Sequence, residues 1–261
     1  MKRALFLPPF DDLADARLLA ELAAEAERAG WDGMFLWDHV MRPEPERPVA
    51  DPWVALAAIA MATERVRLGP MVTPLVRRRP QKLAREVATL DRLSGGRVTL
   101  GLGLGVDTGR ELSAFGEITD ASERGDLLDE GLDLLRGLLG GGPVDHHGRY
   151  FTADHVTFLP TPAQQPGPPI WMAARTANRR PLRRAARVDG LFPIERTPDE
   201  VAAMLDVIAA ERGSLDGFDV VALASGGHTA EEWAAVGATW WFVDAAPGVT
   251  AAQVRDLIHA R

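Results

Sequence analysis

The feature that most constrains this chain is a rhythm: short apolar runs alternate with longer amphipathic ones, eight times from end to end. Leu5-Phe6-Leu7 reads as a strand, followed by a helix from about Leu13 to Ala29 that stops at Gly30. Gly33 to Trp37 reads as a second strand. Asp51-Pro52-Trp53 then opens a helix, with Asp as N-cap and Pro at the first position. Val66 to Gly69 reads as the third strand and Pro80 to Leu93 as the third helix, closed by Ser94-Gly95-Gly96. Val98 to Gly103 is the fourth strand and Glu123 to Leu139 the fourth helix. Further strands at Ile170–Ala173, Gly190–Pro193, Val220–Leu223 and Trp240–Val243 alternate with helices near Arg179–Arg187, Pro198–Arg212, Ala230–Val236 and Thr250–Ala260.

Eight βα units in 261 residues is the count of an α/β (β/α)8 TIM barrel, here expected as one domain over residues 1–261. An open doubly wound sheet gives the same local pattern, and the count favours closure. One stretch breaks the rhythm. Gly140–Pro169 is rich in Gly, Pro and His and longer than an ordinary connection, so it reads as an insertion.

The composition, 46% hydrophobic and 25% charged, supports a packed core rather than a disordered chain. A net charge of −8 weighs against nucleic acid and acidic membranes as partners, since both need a basic face. With no cysteine there is no disulfide, zinc–thiolate site or cysteine nucleophile. The apolar run near Met1 is too short for a signal peptide, and no run approaches the ~20 residues of a membrane span, so a cytoplasmic location is expected. His146, His147, His155, His228 and His259 lack the i, i+4 spacing of a helical zinc site, and no metal is expected. There is neither a Gly-x-Ser-x-Gly elbow nor a Gly-Lys-Ser/Thr phosphate loop.

In such a barrel the chemistry comes from the segments that follow each strand. After the second strand come Asp38 and His39; a histidine there can exchange a proton with a bound heterocycle or hydroxyl, or be a satisfied structural residue. After the third, Gly69-Pro70-Met71-Val72-Thr73-Pro74 carries two prolines that restrict the backbone, making either a rigid platform for a flat ligand or only a turn. After the fourth, Gly101, Gly103 and Gly105 alternate, which permits close backbone approach to a ligand or close packing. The run is not a Rossmann fingerprint, because it lacks the final spacing and follows a fourth strand. After the fifth, Ala174-Arg175-Thr176 leads into a helix N-terminus, a candidate phosphate seat. The arginines that follow, Arg179 to Arg187, read as a solvated helix face or an extension of that positive surface.

Together these segments resemble the bacterial luciferase-like monooxygenase family of flavin- and deazaflavin-dependent oxidoreductases. The resemblance rests on Gly33 to His39, Asp51-Pro52-Trp53, Arg67-Leu68-Gly69, Val72-Thr73-Pro74, Thr89 to Arg97, Leu100 to Gly105, Gly148-Arg149-Tyr150-Phe151 and Pro168 to Trp171. It implies a coenzyme ring in the barrel mouth, backed by a bulge with a non-prolyl cis peptide, expected at Pro70–Met71 with Thr73 and Gly103 close by. It implies a phosphate held at Gly105-Val106 and at Ala174-Arg175-Thr176. It makes His39 the proton donor or acceptor, with Asp38 fixing its position, and it favours coenzyme F420 over FMN. The sugar-phosphate dehydrogenase branch carries a catalytic glutamate where this chain has Val106, with Asp107 adjacent, which sets that reaction in doubt. Three activities remain open: F420-dependent hydride transfer with a small organic substrate, FMN-dependent oxygenation, and coenzyme binding without turnover. A homodimer is implied by resemblance alone.

Overall fold

A computed structural model describes residues 1–42 and 46–260. Eleven strands and eight α-helices occur among them, in chain order β1 (Lys2–Leu7), α1 (Ala16–Arg28), β2 (Gly33–Leu36), α2 (Pro52–Ala62), β3 (Arg67–Pro70), β4 (Thr73–Pro74), α3 (Pro80–Leu93), β5 (Leu100–Gly103) and α4 (Ala121–Leu139). Then follow β6 (Pro143–His147), β7 (Thr152–Thr157), β8 (Ile170–Ala174), α5 (Arg179–Ala185), β9 (Gly190–Pro193), α6 (Pro198–Arg212), β10 (Asp219–Leu223), α7 (Ala230–Ala235), β11 (Trp240–Asp244) and α8 (Ala251–His259).

Nine of the strands form one parallel sheet in the order β3-β2-β1-β11-β10-β9-β8-β5-β4. Its two end strands, β3 and β4, are the halves of one barrel strand interrupted at Met71-Val72. The start of β3 meets the segment before β5 through a parallel bridge at Leu68 and Val98, where Thr99 N–H donates to the Leu68 carbonyl at 2.9 Å. The ring therefore returns on itself as eight barrel positions, and the (β/α)8 reading holds. The Gly140–Pro169 segment is not plain loop: β6 and β7 pair antiparallel as a separate two-stranded ribbon. Its turn is anchored by the Glu130 carboxylate of α4, which accepts the N–H groups of Arg149, Tyr150 and Phe151.

Local chemistry starts the helices where the sequence signals them. Asp51 accepts from Val54 N–H at 2.9 Å with Pro52 behind it, and Thr197 and Glu200 close a capping box on α6. Two apolar layers follow from strand alternation. Outward-facing residues such as Leu5, Leu7, Leu36 and Leu68 pack under the helices. Inward-facing Phe6, Phe35, Trp171, Phe192, Trp240 and Phe242 fill the barrel itself, with Phe35 stacked on Phe242 at 4.7 Å. Each such side chain contributes about 2–3 kcal/mol by leaving water. The interior is thus closed below, and only its upper surface is free to meet a ligand.

Candidate active site at the barrel mouth

The break in the third strand explains the alternating glycines of β5. A Cβ at Gly101 would lie 2.4 Å from Met71 Sδ, and one at Gly103 would lie 2.9 Å from a Val72 methyl. A Cβ at Gly105, which has φ +69°, would lie 2.8 Å from the Pro74 Cβ. These glycines admit the bulge of the neighbouring strand, where side chains could not fit. The non-prolyl cis bond lies at Met71–Val72, one residue beyond the expected Pro70–Met71 position. Met71 lies in the aromatic interior, 1% exposed, and Val72 is half-buried against that cluster. Val72, Trp37, Ala173, Ile194 and Leu223 are the half-buried side chains that roof the interior cluster. They make an apolar floor to the mouth.

Asp38 is buried beside this floor and does not position His39. Its carboxylate accepts from Thr73 Oγ1 at 2.7 Å, Trp53 Nε1 at 3.1 Å and Arg78 at 3.0 Å. Arg77 donates to the Asp38 carbonyl at 2.8 Å. The expected pairing of Asp38 with His39 is therefore corrected: all the bonds of that carboxylate run toward α2, β4 and the arginines. Thr73 is fully buried and its hydroxyl is committed to Asp38 as well.

The carboxylate that holds His39 is Glu111, 5% exposed, with Oε2 2.7 Å from Nδ1. Its other oxygen accepts Val40 N–H at 2.7 Å and faces Arg77 at 3.4 Å. Burial pushes the Glu111 carboxyl up, but the His39 hydrogen bond and charge, with Arg77 and the Val40 N–H, outweigh it. The group is held below the ordinary glutamate range and stays ionised. An ionised acceptor at Nδ1 selects the Nδ1–H tautomer, which makes Nε2 the nitrogen available for proton exchange. The rings of Phe10 and Trp37 pack within 6 Å of the imidazole and fix its plane.

In the segment after β5 that also carries Glu111, Val106 is 37% exposed and offers no acid. Asp107 does not replace it, because its carboxylate accepts the N–H groups of Leu112 at 2.8 Å and Ser113 at 3.1 Å. Those bonds hold Asp107 below its usual range, so it is no proton donor near neutral pH. Arg124 of α4, 8% exposed, donates to the Gly105 carbonyl at 2.9 Å and the Leu104 carbonyl at 3.3 Å. Its Nε has no partner among the described residues. Ala174 is buried, Thr176 is exposed, and Arg175 meets Glu195 of the neighbouring strand end at 2.5 Å. The later arginines are spent on acids of flanking helices: Arg180 and Arg184 on Asp129, Arg183 on Glu211. They add no free positive surface.

Glu111 and Arg124 were not legible as site residues in the sequence. Each lies in or after an irregular segment; the only signal was a lone acid between Asp107 and Glu117, following the glycine run. Among the described residues there is no group of three or more His, Asp or Glu side chains that could hold a metal, and no helix is long and apolar enough to cross a membrane.

The family model described as luciferase-like monooxygenase matches residues 7–226, and the chain belongs to that family. It is 33% identical over 183 residues to the uncharacterized protein y4wF of Sinorhizobium fredii (strain NBRC 101917 / NGR234), covering 69% of this chain and 51% of that one. The chain thus spans about half the length of this curated relative. Among solved structures it is similar to the coenzyme F420-dependent tetrahydromethanopterin reductase of Methanopyrus kandleri, with a TM-score of 0.78, 18% identity, and coverage of 99% of this chain and 97% of the reductase. An F420-dependent secondary alcohol dehydrogenase, solved with an F420–acetone adduct, gives 0.75 at 22% identity, covering 85% and 68%. The monooxygenase RslO1 of Streptomyces bottropensis gives 0.71 at 25% identity, covering 90% and 78%.

Proposed function

We propose that this chain is an oxidoreductase that uses a flavin-type coenzyme, F420 ahead of FMN, to move hydride to or from a small organic substrate. One observation carries the reading: His39, at the edge of an apolar floor, is held through Nδ1 by a buried, ionised carboxylate. The site suits a flat ring with one wet edge. Val72, Trp37 and Ala173 offer it a dry face, and the buried Trp37 Nε1–H, without a partner among the described residues, offers it a donor. Pro70 and Met71 support that face from below, and Gly103 keeps it level with Ala173. A phosphate would lie between the Gly105-Val106 segment, braced by Arg124, and Ala174-Arg175-Thr176.

When bound, the coenzyme supplies the hydride chemistry. His39 gives or takes the accompanying proton at Nε2, Glu111 stabilises the imidazolium that forms, and the floor excludes water. The likeness to the monooxygenase RslO1 supports oxygenation as the second reading, for which FMN would be the coenzyme. A tryptophan-fluorescence titration with F420 and with FMN, side by side, tests both. Micromolar binding of F420 alone is the expected result. Preference for FMN would move the assignment to the oxygen-using reaction, and binding of neither would overturn the proposal.

A further inference from the structure

One carboxylate at the mouth is engaged neither by His39 nor by an arginine. Asp244 ends β11, where Trp240 and Phe242 point into the barrel while Trp241 and Val243 pack under the helices. Strand alternation therefore turns Asp244 inward, one position beyond Phe242. The register agrees, since Asp244 pairs with the interior residue Phe6 on β1. Its Oδ1 accepts the Ser225 N–H at 3.0 Å, which ties the carboxylate across to the end of β10. Oδ2 has no hydrogen bond or ion pair among the described residues.

The other carboxylates around the mouth are committed. Asp38 and Glu111 bind arginine and histidine, Asp107 accepts two N–H groups, and Glu195 meets Arg175. Asp244 is half-buried, and the floor residue Leu223 lies on the neighbouring strand, in register with Phe242. Around the ring only β1 separates β11 from β2, the strand that leads to His39, whereas β10 and β9 separate it from β8 and Arg175. A carboxylate at the edge of an apolar floor, with one oxygen open, attracts a charged donor and repels an anion. We propose that Asp244 is a specificity-determining residue of the mouth. Its Oδ2 accepts a hydrogen bond from the substrate, selecting an apolar molecule that carries an ammonium group and turning away carboxylates and phosphates. This rests on the reading of the mouth as the substrate site. The apolar body lies over the floor, and the ammonium group lies on the side away from the proposed phosphate seat.

The coenzyme titration tests the mouth as a redox site, and Asp244 is tested apart from it, in the coenzyme-free protein. Cyclohexylammonium and cyclohexanecarboxylate share one apolar body and differ in the sign of their charge. Each is titrated by calorimetry, with the Asp244 carboxyl followed by carbon NMR. The ammonium should bind saturably in the millimolar range, shift the Asp244 signal, and exceed the carboxylate roughly tenfold in affinity. Asp244→Asn keeps an acceptor for the Ser225 N–H, so the strand end holds while the preference for the ammonium falls roughly tenfold. Asp216→Asn removes the same charge at an exposed position between α6 and β10 and should leave the preference as it was. No saturable binding of the ammonium or an unmoved Asp244 signal would overturn the assignment. So would a preference that survives Asp244→Asn, or one that falls equally in both variants.

Discussion

At the closed end of the barrel, Glu27 and Arg97 end mostly on backbone groups; at the mouth, Asp38 and Glu111 are bound to the side chains of arginine and histidine as well. Below, the Glu27 carboxylate accepts the N–H groups of Glu64, Arg65 and Val66, and Arg97 donates to the carbonyls of Ala60, Thr63, Val66 and Ser94. Above, Asp38 binds Trp53, Thr73 and two arginines, while Glu111 binds His39 and Arg77. A charge that ends on the backbone splices one connection to another and has no proton to exchange. A charge that ends on a titratable side chain can change that side chain's chemistry. The lower network therefore serves stability, and within the upper one the two carboxylates divide the work: Asp38 fixes the loops and Glu111 serves His39.

This division can be broken in order of effect. Asp38→Ala takes one carboxylate partner from each of Arg77 and Arg78, leaving them Glu111 and Glu86. It also strands the Thr73 hydroxyl and the Trp53 Nε1–H without an acceptor, and should destabilise by about 3–5 kcal/mol in denaturant unfolding. Arg97→Met removes the splice at the closed end; about 2–4 kcal/mol is expected, with coenzyme affinity of the remaining folded protein unchanged. Glu27→Gln should cost about 1–2 kcal/mol at neutral pH, with a diagnostic pH dependence. Burial pushes this carboxyl up, but the N–H groups of Arg65, Val66 and Glu64 outweigh that and hold it below the ordinary range. Its stabilisation is accordingly full above the usual glutamate value and lost as pH falls through the lower folded one. The thermal midpoint of the wild type should drop more steeply than that of the variant in that acid window. Glu111→Gln should have the smallest effect on stability, below about 1 kcal/mol, yet abolish the preference of His39 for the Nδ1–H tautomer in nitrogen NMR.

The fold was legible in the sequence because its signal is periodic and local: every barrel strand and its helix can be found within a short window. The mouth was legible only where the chain is contiguous. Asp38 and His39 adjoin in sequence, which suggested a pair; in three dimensions they point to different partners, Thr73 and Trp53 for one, Glu111 for the other. Glu111 lies 72 residues from His39 in an irregular segment, where no period announces which way a side chain faces. The glycines of β5 were visible, but the bulge that requires them belongs to the neighbouring strand. The cis bond was misplaced by one residue for the same reason: only packing against Gly101 shows that Met71 turns inward.

The account rests on Glu111 as the group that holds His39, and one measurement addresses it directly. The Glu111 carboxyl is titrated by carbon NMR in the wild type and in His39→Ala. The account predicts a wild-type midpoint below the ordinary glutamate range and an upward move in the variant, where burial is opposed by fewer partners. A midpoint unchanged by loss of the imidazole would contradict it.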